Sequence, residues 1–273
     1  MRLWQRPRSP KLLRPMRAAV GLAMQRFGLS EGILLRRSRY VLPFYASSNM
    51  ALTLWTLPHY SDQTEQFVHD YLRPGDVFVD VGANVGCISA TAAARVGNSG
   101  RVIALEPHPV IYRYLCRTVV ANGLTNVECL NMAAGNRTGC ASLTSEWRKD
   151  DSNRIIETKQ DGLNVAMCKV ADIVRERQLG RIALIKVDVE GYEEQVLSGM
   201  EDVLGQVDCI HLESIERLLN RHGSSRRHLV NKLRGNGFTC FRLRDDRSNL
   251  LAFADTRRAE PWLHELVEIG GHR

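Results

Sequence analysis

Short apolar runs alternate with longer segments of helical periodicity along most of the chain. Ser61 and Asp62 cap a predicted helix that extends to about residue 72, and an apolar strand begins at Val77. Helices and strands then alternate through the rest of the chain. Such alternation is typical of parallel strands joined by helices that cover both faces of one sheet. The pattern therefore predicts an α/β fold.

The same pattern gives the approximate bounds of the other elements. Strands are predicted at residues 102–105, 127–132, 182–189 and 207–213, and helices from residue 85, over residues 110–122 and over residues 224–234. Strands at residues 238–243 and 250–254 then form a predicted hairpin. Residues 135–163 are a polar insertion with a short strand at residues 140–144, which is compatible with a substrate lid or with a solvated loop.

The most informative stretch is residues 77–86, where an apolar strand leads into a glycine-spaced turn and then into an alanine-rich helix. Asp80 ends the apolar run, and Gly82 and Gly86 allow the backbone to approach a ligand closely. A second apolar run ends in Glu106, which lies 20 positions after Gly86. A carboxylate there can accept hydrogen bonds from both hydroxyls of a ribose. The spacing predicts a nucleoside cofactor.

The turn departs from the dinucleotide-binding pattern, because Asn84 stands where a middle glycine is expected. Asparagine tolerates positive φ better than other non-glycine residues. A middle glycine lets a pyrophosphate approach the backbone, so its replacement disfavours a nicotinamide cofactor and favours a cofactor without phosphates. S-adenosylmethionine is such a cofactor.

Three motifs, in order along the chain, resemble the signatures of the class I methyltransferases and, more narrowly, of the FkbM-type methyltransferases. The motifs are Asp-Val-Gly-Ala-Asn-Val-Gly at residues 80–86, Glu106-Pro107, and Ile-Lys-Val-Asp-Val-Glu-Gly at residues 185–191 with Glu194, Val196 and Leu197 after it. The resemblance to the family covers about residues 62–255. Cys87 stands where the family often has an aromatic residue, and Tyr192 where a small residue is common.

The resemblance implies a Rossmann-like class I methyltransferase: α/β, with a seven-stranded mostly parallel sheet, helices on both faces and a C-terminal antiparallel hairpin. The methyltransferase domain is expected at residues 61–257, after a basic arm at residues 1–60 and before a tail at residues 258–273. The implied cofactor is S-adenosyl-L-methionine. The residues expected to bind it are Asp80, Gly82, Ala83, Asn84, Gly86, Glu106, Pro107 and Ala133.

The strand at residues 182–189 carries charged residues that are expected to act in catalysis. Lys186 and Asp188 are two positions apart and therefore project to one side of a strand, and Glu190 follows the strand end. A charged pair in so apolar a run is costly unless it is partnered or functional. Either catalysis or a structural ion pair explains it.

His211 and Glu213 share one face of the next predicted strand, so Asp188, Glu190 and Glu213 are expected to converge at one edge of the sheet. Methyl transfer from a sulfonium is an in-line displacement, for which the enzyme positions the acceptor and removes its proton. A carboxylate or His211 is the expected base, although His211 also suits a structural role. Base catalysis without metal is favoured, and the three carboxylates also suit Mg²⁺ or Mn²⁺.

The net charge of +7 belongs to the N-terminal arm. Residues 1–40 hold ten Lys or Arg and one acid, which gives +9, whereas the other 233 residues hold 27 and 29, which gives −2. The apolar residues of the arm recur at helical spacing: Leu12, Leu13, Met16, Ala19, Val20, Ala23, Met24 and Phe27. This predicts a basic amphipathic helix with Pro15 near its start and Gly28 just beyond its end. Residues 11–28 either contact an anionic membrane peripherally, pack on the domain edge or form a partly disordered leader.

The expected location is the cytoplasm, including the inner face of the membrane. The arm lacks an apolar segment with a cleavage site, so no signal peptide is predicted. Residues 40–58 carry no charge, but prolines and hydroxyl residues favour a short strand at residues 51–57 over a spanning helix. The seven cysteines are scattered without a Cys-x-x-Cys pair and indicate neither zinc nor a disulfide framework.

The expected function is methyl transfer from S-adenosylmethionine to a hydroxyl of a sugar, glycolipid or secondary metabolite, where the oxygen acceptor is implied by the resemblance. Nucleic-acid methylation is suggested by the basic arm, but Asp188-Val-Glu-Gly191 replaces the Asp/Asn-Pro-Pro-aromatic motif, and no Pro-Cys nucleophile occurs. A dehydrogenase is disfavoured by the lack of a Tyr-x-x-x-Lys pair. The remaining alternatives are another small-molecule acceptor and a membrane-associated cofactor-binding protein without turnover, which the intact carboxylates disfavour.

Overall fold

The computed structural model describes residues 14–27, 33–44, 49–56, 63–145, 153–156, 162–244, 246, 248–262 and 264–269. The predicted cap at Ser61 and Asp62 lies outside the described residues. So do Leu12, Leu13 and Gly28 of the predicted arm helix. Within the described ranges, every helix is too short or too polar to cross a lipid bilayer.

The described part of the N-terminal arm consists of helix α1 (Arg14–Phe27), the antiparallel strands β1 (Leu34–Arg36) and β2 (Val41–Pro43), and helix α2 (Asn49–Thr56). The strand predicted at residues 51–57 is therefore wrong. Ala51 and Leu54 lie one helical turn apart and are buried in one cluster with Val85 and Ile111. Packing of one helical face overrides the weak local preference of this segment.

The central domain follows the predicted alternation. Its elements are α3 (Gln63–Tyr71), β3 (Val77–Val81), α4 (Cys87–Val96), β4 (Arg101–Leu105), α5 (Pro109–Ala121), β5 (Val127–Leu130), β6 (Ala133–Ala134), β7 (Gly139–Leu143), β8 (Ile155–Ile156), β9 (Leu163–Cys168), α6 (Val170–Glu176), β10 (Leu184–Val187), α7 (Glu193–Ser198), β11 (Cys209–Glu213), α8 (Glu216–Leu219), α9 (Arg226–Gly235), β12 (Thr239–Leu243), β13 (Asn249–Phe253) and β14 (Leu266–Glu268). Short 3₁₀ helices occur at Glu201–Gln206, Asn220–His222 and Thr256–Trp262.

The large sheet has the strand order β14-β12-β13-β11-β10-β3-β4-β5. The strands from β11 to β5 pair in parallel, and β13, β12 and β14 join through antiparallel pairings. The predicted α/β fold with a C-terminal antiparallel hairpin is confirmed, and β14 adds an eighth strand to the predicted seven. The chain reverses its direction of travel across the sheet between β3 and β10, and ligands bind at such switch points.

Both faces of the large sheet are buried, which explains why its strands are continuous apolar runs. In β3, Val79 and Val81 belong to the core on one face and Phe78 to the core on the other. Two charged residues interrupt this apolar pattern. Asp80 in β3 and Lys186 in β10 lie side by side in register and are both buried.

The insertion forms a second sheet with the strand order β6-β9-β7-β8. Leu143, Ile155 and Met167 are buried in its core. Residues 146–152 and 157–161 of the insertion lie outside the described residues. The strand predicted at residues 140–144 is confirmed as β7. The described part of the insertion is thus a packed layer with its own core.

Candidate functional site

The turn after β3 uses left-handed backbone at three positions. The φ angle is 79° at Gly82, 51° at Asn84 and 89° at Gly86, so the positive φ expected of Asn84 is confirmed. A Cβ atom on Gly82 would lie 1.9 Å from the backbone oxygen of Asp188. Only glycine therefore allows the turn to pack against the end of β10.

Glu106 is fixed at the end of β4 by two backbone amides. Its Oε2 accepts a hydrogen bond from Asn84 N at 3.0 Å, and its Oε1 accepts one from His108 N at 2.9 Å. A carboxylate accepts about four hydrogen bonds, which is enough for these amides and for two ribose hydroxyls. The structure thus couples the first motif to the second through Glu106.

Lys186 links the glycine turn to the strand that carries Asp188. Its Nζ donates a hydrogen bond to Gly82 O at 2.8 Å and lies 3.4 Å from both Asp80 Oδ1 and Asp188 Oδ2. Asp80 Oδ2 also accepts a hydrogen bond from Ser89 Oγ at 2.6 Å. Burial lowers the pKa of Lys186, but Asp188 and Asp80 together raise it above its ordinary value. Lys186 is therefore an ammonium that holds the site together.

Asp188, Glu190 and Glu213 converge at the carboxyl ends of β10 and β11. Each contributes a carboxylate oxygen to a group whose atoms all lie within 4.8 Å of one another. Glu190 has a φ of 57°, a conformation that costs a non-glycine residue about 1–3 kcal/mol. Glu193 Oε1 accepts hydrogen bonds from Val189 N at 3.1 Å and from Gly191 N at 3.2 Å. Glu193 thus fixes the strained turn that presents Glu190.

The clustering changes the protonation of the buried carboxyl groups. Burial, together with Asp188 and Glu190, raises the pKa of Glu213 to about 9. Burial also raises the pKa of Glu193 to about 7. The Asp188 side chain is 43% exposed, and its Oδ2 lies 3.4 Å from Lys186 Nζ. At neutral pH, Glu213 therefore holds a proton, and Asp188 is the accessible carboxylate beside it.

These groups border a cavity of about 260 Å³. Of the predicted site residues, Gly82, Ala83, Asn84, Glu106, Pro107, Ala133, Lys186, Asp188, Glu190 and Glu213 line it. Asp80 and Gly86 lie behind the wall. A Cβ on Gly86 would be 2.7 Å from Leu115 Cδ1, so this glycine allows the turn to pack on α5. Asp80 is fully buried and acts on the cavity through Lys186.

The charge of the cavity suits a cation. Its described lining contains five carboxyl groups and two basic groups. The acidic residues are Glu65, Glu106, Asp188, Glu190 and Glu213, and the basic residues are Arg154 and Lys186. Even without Glu213, whose raised pKa favours a neutral form, the acidic residues of the lining outnumber the basic ones. Such a lining attracts a sulfonium and repels a pyrophosphate. The residues present therefore fit the sulfonium cofactor, for which Glu106 would offer a carboxylate to the ribose hydroxyls and Met132 and Ala133 an apolar wall.

Two further parts of the wall contain no residue that was singled out from the sequence, although the insertion as a whole is compatible with a substrate lid. The arm contributes Tyr40, Met50 and Leu54, and the insertion contributes Leu143, Arg154 and Ile155. The absence of charged residues at positions 40–58 is the sequence feature that could have indicated the contribution of the arm to the wall. No local motif marks the second part, because its residues reach the cavity only through the pairing of β7, β8 and β9.

His211 is not brought to the cavity. Its side chain is 2% exposed, its ring centroid lies 5.8 Å from that of Phe67, and neither ring nitrogen has a hydrogen-bond partner among the described residues. Burial, aided by the Lys186 charge, lowers the pKa of His211 to about 4. The placement favours a neutral structural histidine over the predicted base.

Replacing His211 with phenylalanine should change stability more than turnover. The unfolded chain binds a proton on His211 below pH 6.5, whereas the folded chain does so only below about pH 4. The free energy of unfolding therefore decreases by about 3 kcal/mol in total as the pH falls from 6.5 to about 4, because only the unfolded chain binds the proton in this range. Urea unfolding of His211→Phe should show a flatter pH dependence from pH 6.5 to 4. A large loss of turnover at pH 7.5 with unchanged stability would instead support catalysis by His211.

Comparison with known proteins identifies the family of this chain. A family model described as the methyltransferase FkbM domain matches residues 80–240. The chain is 28% identical over 199 residues to the 31-O-demethyl-FK506 methyltransferase FkbM of Streptomyces tacrolimicus, across 62% of this chain and 74% of that protein. It is 28% identical over 156 residues to methyltransferase sdnD of Sordaria araneosa, across 45% of this chain and 60% of that protein.

A solved S-adenosylmethionine-dependent methyltransferase from Aquifex aeolicus is 16% identical, with a TM-score of 0.43 and coverage of 70% of this chain and 88% of that one. The family model includes the glycine turn, Glu106 and the β10 motif, and it covers more than half of the chain. This protein therefore belongs to the FkbM family of S-adenosylmethionine-dependent methyltransferases.

Proposed function

We propose that this methyltransferase acts on oxygen, and that its acceptor is a hydroxyl of a sugar, glycolipid or secondary metabolite. The observation that carries the proposal is the group formed by Asp188, Glu190 and Glu213 at the cavity. A hydroxyl loses its proton during methylation, so a base within reach is needed, and a carboxylate can serve as that base. Asp188 is the member of the group that combines exposure with a fixed cationic partner.

The residues of the site divide the work of positioning and proton transfer. S-adenosylmethionine supplies the methyl group on a positively charged sulfur. The turn from Gly82 to Asn84 and the Glu106 carboxylate hold the nucleoside end, and Lys186 keeps Asp188 oriented through its 3.4 Å contact. Asp188 would take the proton of the acceptor hydroxyl as its oxygen displaces the neutral thioether from the methyl carbon.

The surroundings of Asp188 favour a neutral hydroxyl acceptor over nucleic acid. Acidic groups outnumber basic groups in the described cavity wall, which opposes the approach of a phosphate backbone. The walls also contain apolar side chains, including Leu54, Leu143 and Ile155. The Streptomyces relative is named as a methyltransferase of a 31-O-demethyl compound, which supports an oxygen acceptor here. Apolar walls suit the body of a glycolipid or a secondary metabolite.

The direct test incubates the full chain with methyl-labelled S-adenosylmethionine and separate acceptor pools of glycolipid, polysaccharide, secondary metabolite and RNA. We expect label and the mass gain of one methyl group in an oxygen-bearing small molecule or glycan. An ether assignment by NMR would confirm the oxygen. Label in RNA alone, or on nitrogen of any acceptor, would overturn the proposal.

The role of the three carboxylates is tested with a chelator. We propose that Asp188 acts without metal, so turnover should persist in EDTA. Carboxylate oxygens are also the ligands that Mg²⁺ and Mn²⁺ prefer. Loss of turnover in EDTA that Mg²⁺ restores would make Asp188, Glu190 and Glu213 metal ligands instead, and the acceptor assignment would be unaffected.

A further inference from the structure

Helix α1 is attached to the protein along one narrow side. A Cβ atom on Gly21 would lie 2.9 Å from Leu52 Cδ2 and 3.2 Å from Trp55 Cδ1 of α2. Met24, almost one turn further along, packs on the same apolar cluster. The close approach at Gly21 places the contact with α2 on the side of α1 that Gly21 and Met24 share.

A different side of α1 is apolar and exposed. Met16, Val20 and Phe27 are spaced by four and seven residues and therefore form one stripe along the helix. Their exposed fractions are 59%, 44% and 71%, and Ala23, which is also exposed, lies between Val20 and Phe27 in the stripe. α1 thus packs on α2 with one side and presents most of its described apolar residues to solvent.

The charge of the segment that contains this stripe indicates its partner. α1 contains no acidic residue, and residues 1–40 hold ten basic residues and one acid, whereas the rest of the chain has a charge of −2. Each Lys or Arg near an anionic membrane adds to the electrostatic attraction. Apolar side chains with flanking basic residues match an anionic lipid surface, in which rings and aliphatic chains enter the headgroup region.

The position of α1 connects this surface to the cavity. α2, on which α1 packs, contributes Met50 and Leu54 to the cavity wall. A surface bound by α1 is therefore separated from the wall of the cavity by a single helix. Lipid-linked acceptors in the bilayer would be concentrated beside the site.

We infer that α1 is an interfacial helix that binds the enzyme to anionic membranes through Met16, Val20 and Phe27. At 14 residues, the helix suits an orientation along the membrane plane. This inference concerns binding of the enzyme to the bilayer and is independent of which acceptor is methylated.

The test is co-sedimentation of the full chain with vesicles of phosphatidylcholine alone and of phosphatidylcholine mixed with phosphatidylglycerol. We expect binding to the anionic vesicles, weakening with added salt, and little binding to the neutral ones. The triple variant Met16→Ser/Val20→Ser/Phe27→Ser should bind anionic vesicles roughly 10- to 100-fold more weakly. Its affinity for S-adenosylmethionine should be unchanged, which shows that the variant is folded.

Val120→Ser is the matched control, because Val120 is 78% exposed and lies on α5. It should bind anionic vesicles as the unmodified chain does. Equal binding by the triple variant would overturn the inference, and so would equal binding of the unmodified chain to neutral vesicles. Self-association that the triple variant abolishes, without vesicle binding by either protein, would assign the stripe to a second copy of the chain. Methylation of a water-soluble acceptor reports on the proposed function separately.

Discussion

Asp188→Asn should reduce turnover by about 10²- to 10⁴-fold, the usual contribution of a general base. Asparagine keeps the size and shape of the side chain but cannot take a proton from an acceptor hydroxyl. Asp188 lies at the carboxyl end of β10 with its side chain 43% exposed, 3.4 Å from the Lys186 ammonium. The measurement is single-turnover methyl transfer at saturating cofactor, which separates chemistry from binding.

Affinity for the cofactor should distinguish Asp188→Asn from a variant of the cofactor-binding wall. Asp188→Asn should bind S-adenosylmethionine almost normally, whereas Glu106→Ala should weaken that binding because two backbone amides lose the acceptor that fixes the cavity wall. Calorimetric titration measures both. Normal turnover by Asp188→Asn would refute the assignment of the base. If Glu213→Gln lost turnover instead, Glu213 would be assigned as the general base.

The parts of the site that were predicted correctly are those encoded by short-range geometry. Gly82 and Asn84 are identified by the backbone conformation that the turn requires, and both adopt positive φ. Glu106 and Asp188 follow apolar runs, and parallel strands bring such positions to one edge of a sheet. The convergence of Asp188 with Glu213 was predicted from this rule and is observed.

The errors arise where tertiary contacts decide the outcome. The segment at residues 51–57 has weak local preferences, and its helix is stabilised by burial of Ala51 and Leu54. His211 has the strand position expected of a site residue, but Phe67 from α3 packs against its ring. Sequence spacing indicates on which face a side chain lies, and it does not indicate which neighbouring element covers that face.

Lys186→Met should have the largest effect on stability, about 3–5 kcal/mol of the free energy of unfolding, because it removes one partner of a buried ion pair. Asp80 is fully buried, and its Oδ1 lies 3.4 Å from the Lys186 ammonium. Methionine fills the same volume but leaves Asp80 as an uncompensated charge and Gly82 O without its donor. Denaturant unfolding measures the loss, and the pH dependence gives a second readout. Because the pKa of Lys186 is raised, its contribution is present below pH 10.5 and is lost only as the pH rises above that value.

The double variant Asp80→Asn/Lys186→Met separates the charge from the packing. Removing both charges should recover part of the stability lost in Lys186→Met, since a neutral amide in place of Asp80 no longer needs a cation, and the two residues interact directly. Ser89 Oγ can still donate to the amide oxygen of an asparagine at this position. Recovery of stability without recovery of turnover is expected, because Asp188 would still lack the ammonium that orients it. The double variant could instead lose as much free energy of unfolding as the two single variants lose in total. In that case the two side chains would not be coupled, and the ion pair would not explain why two charged residues lie in the core of the sheet.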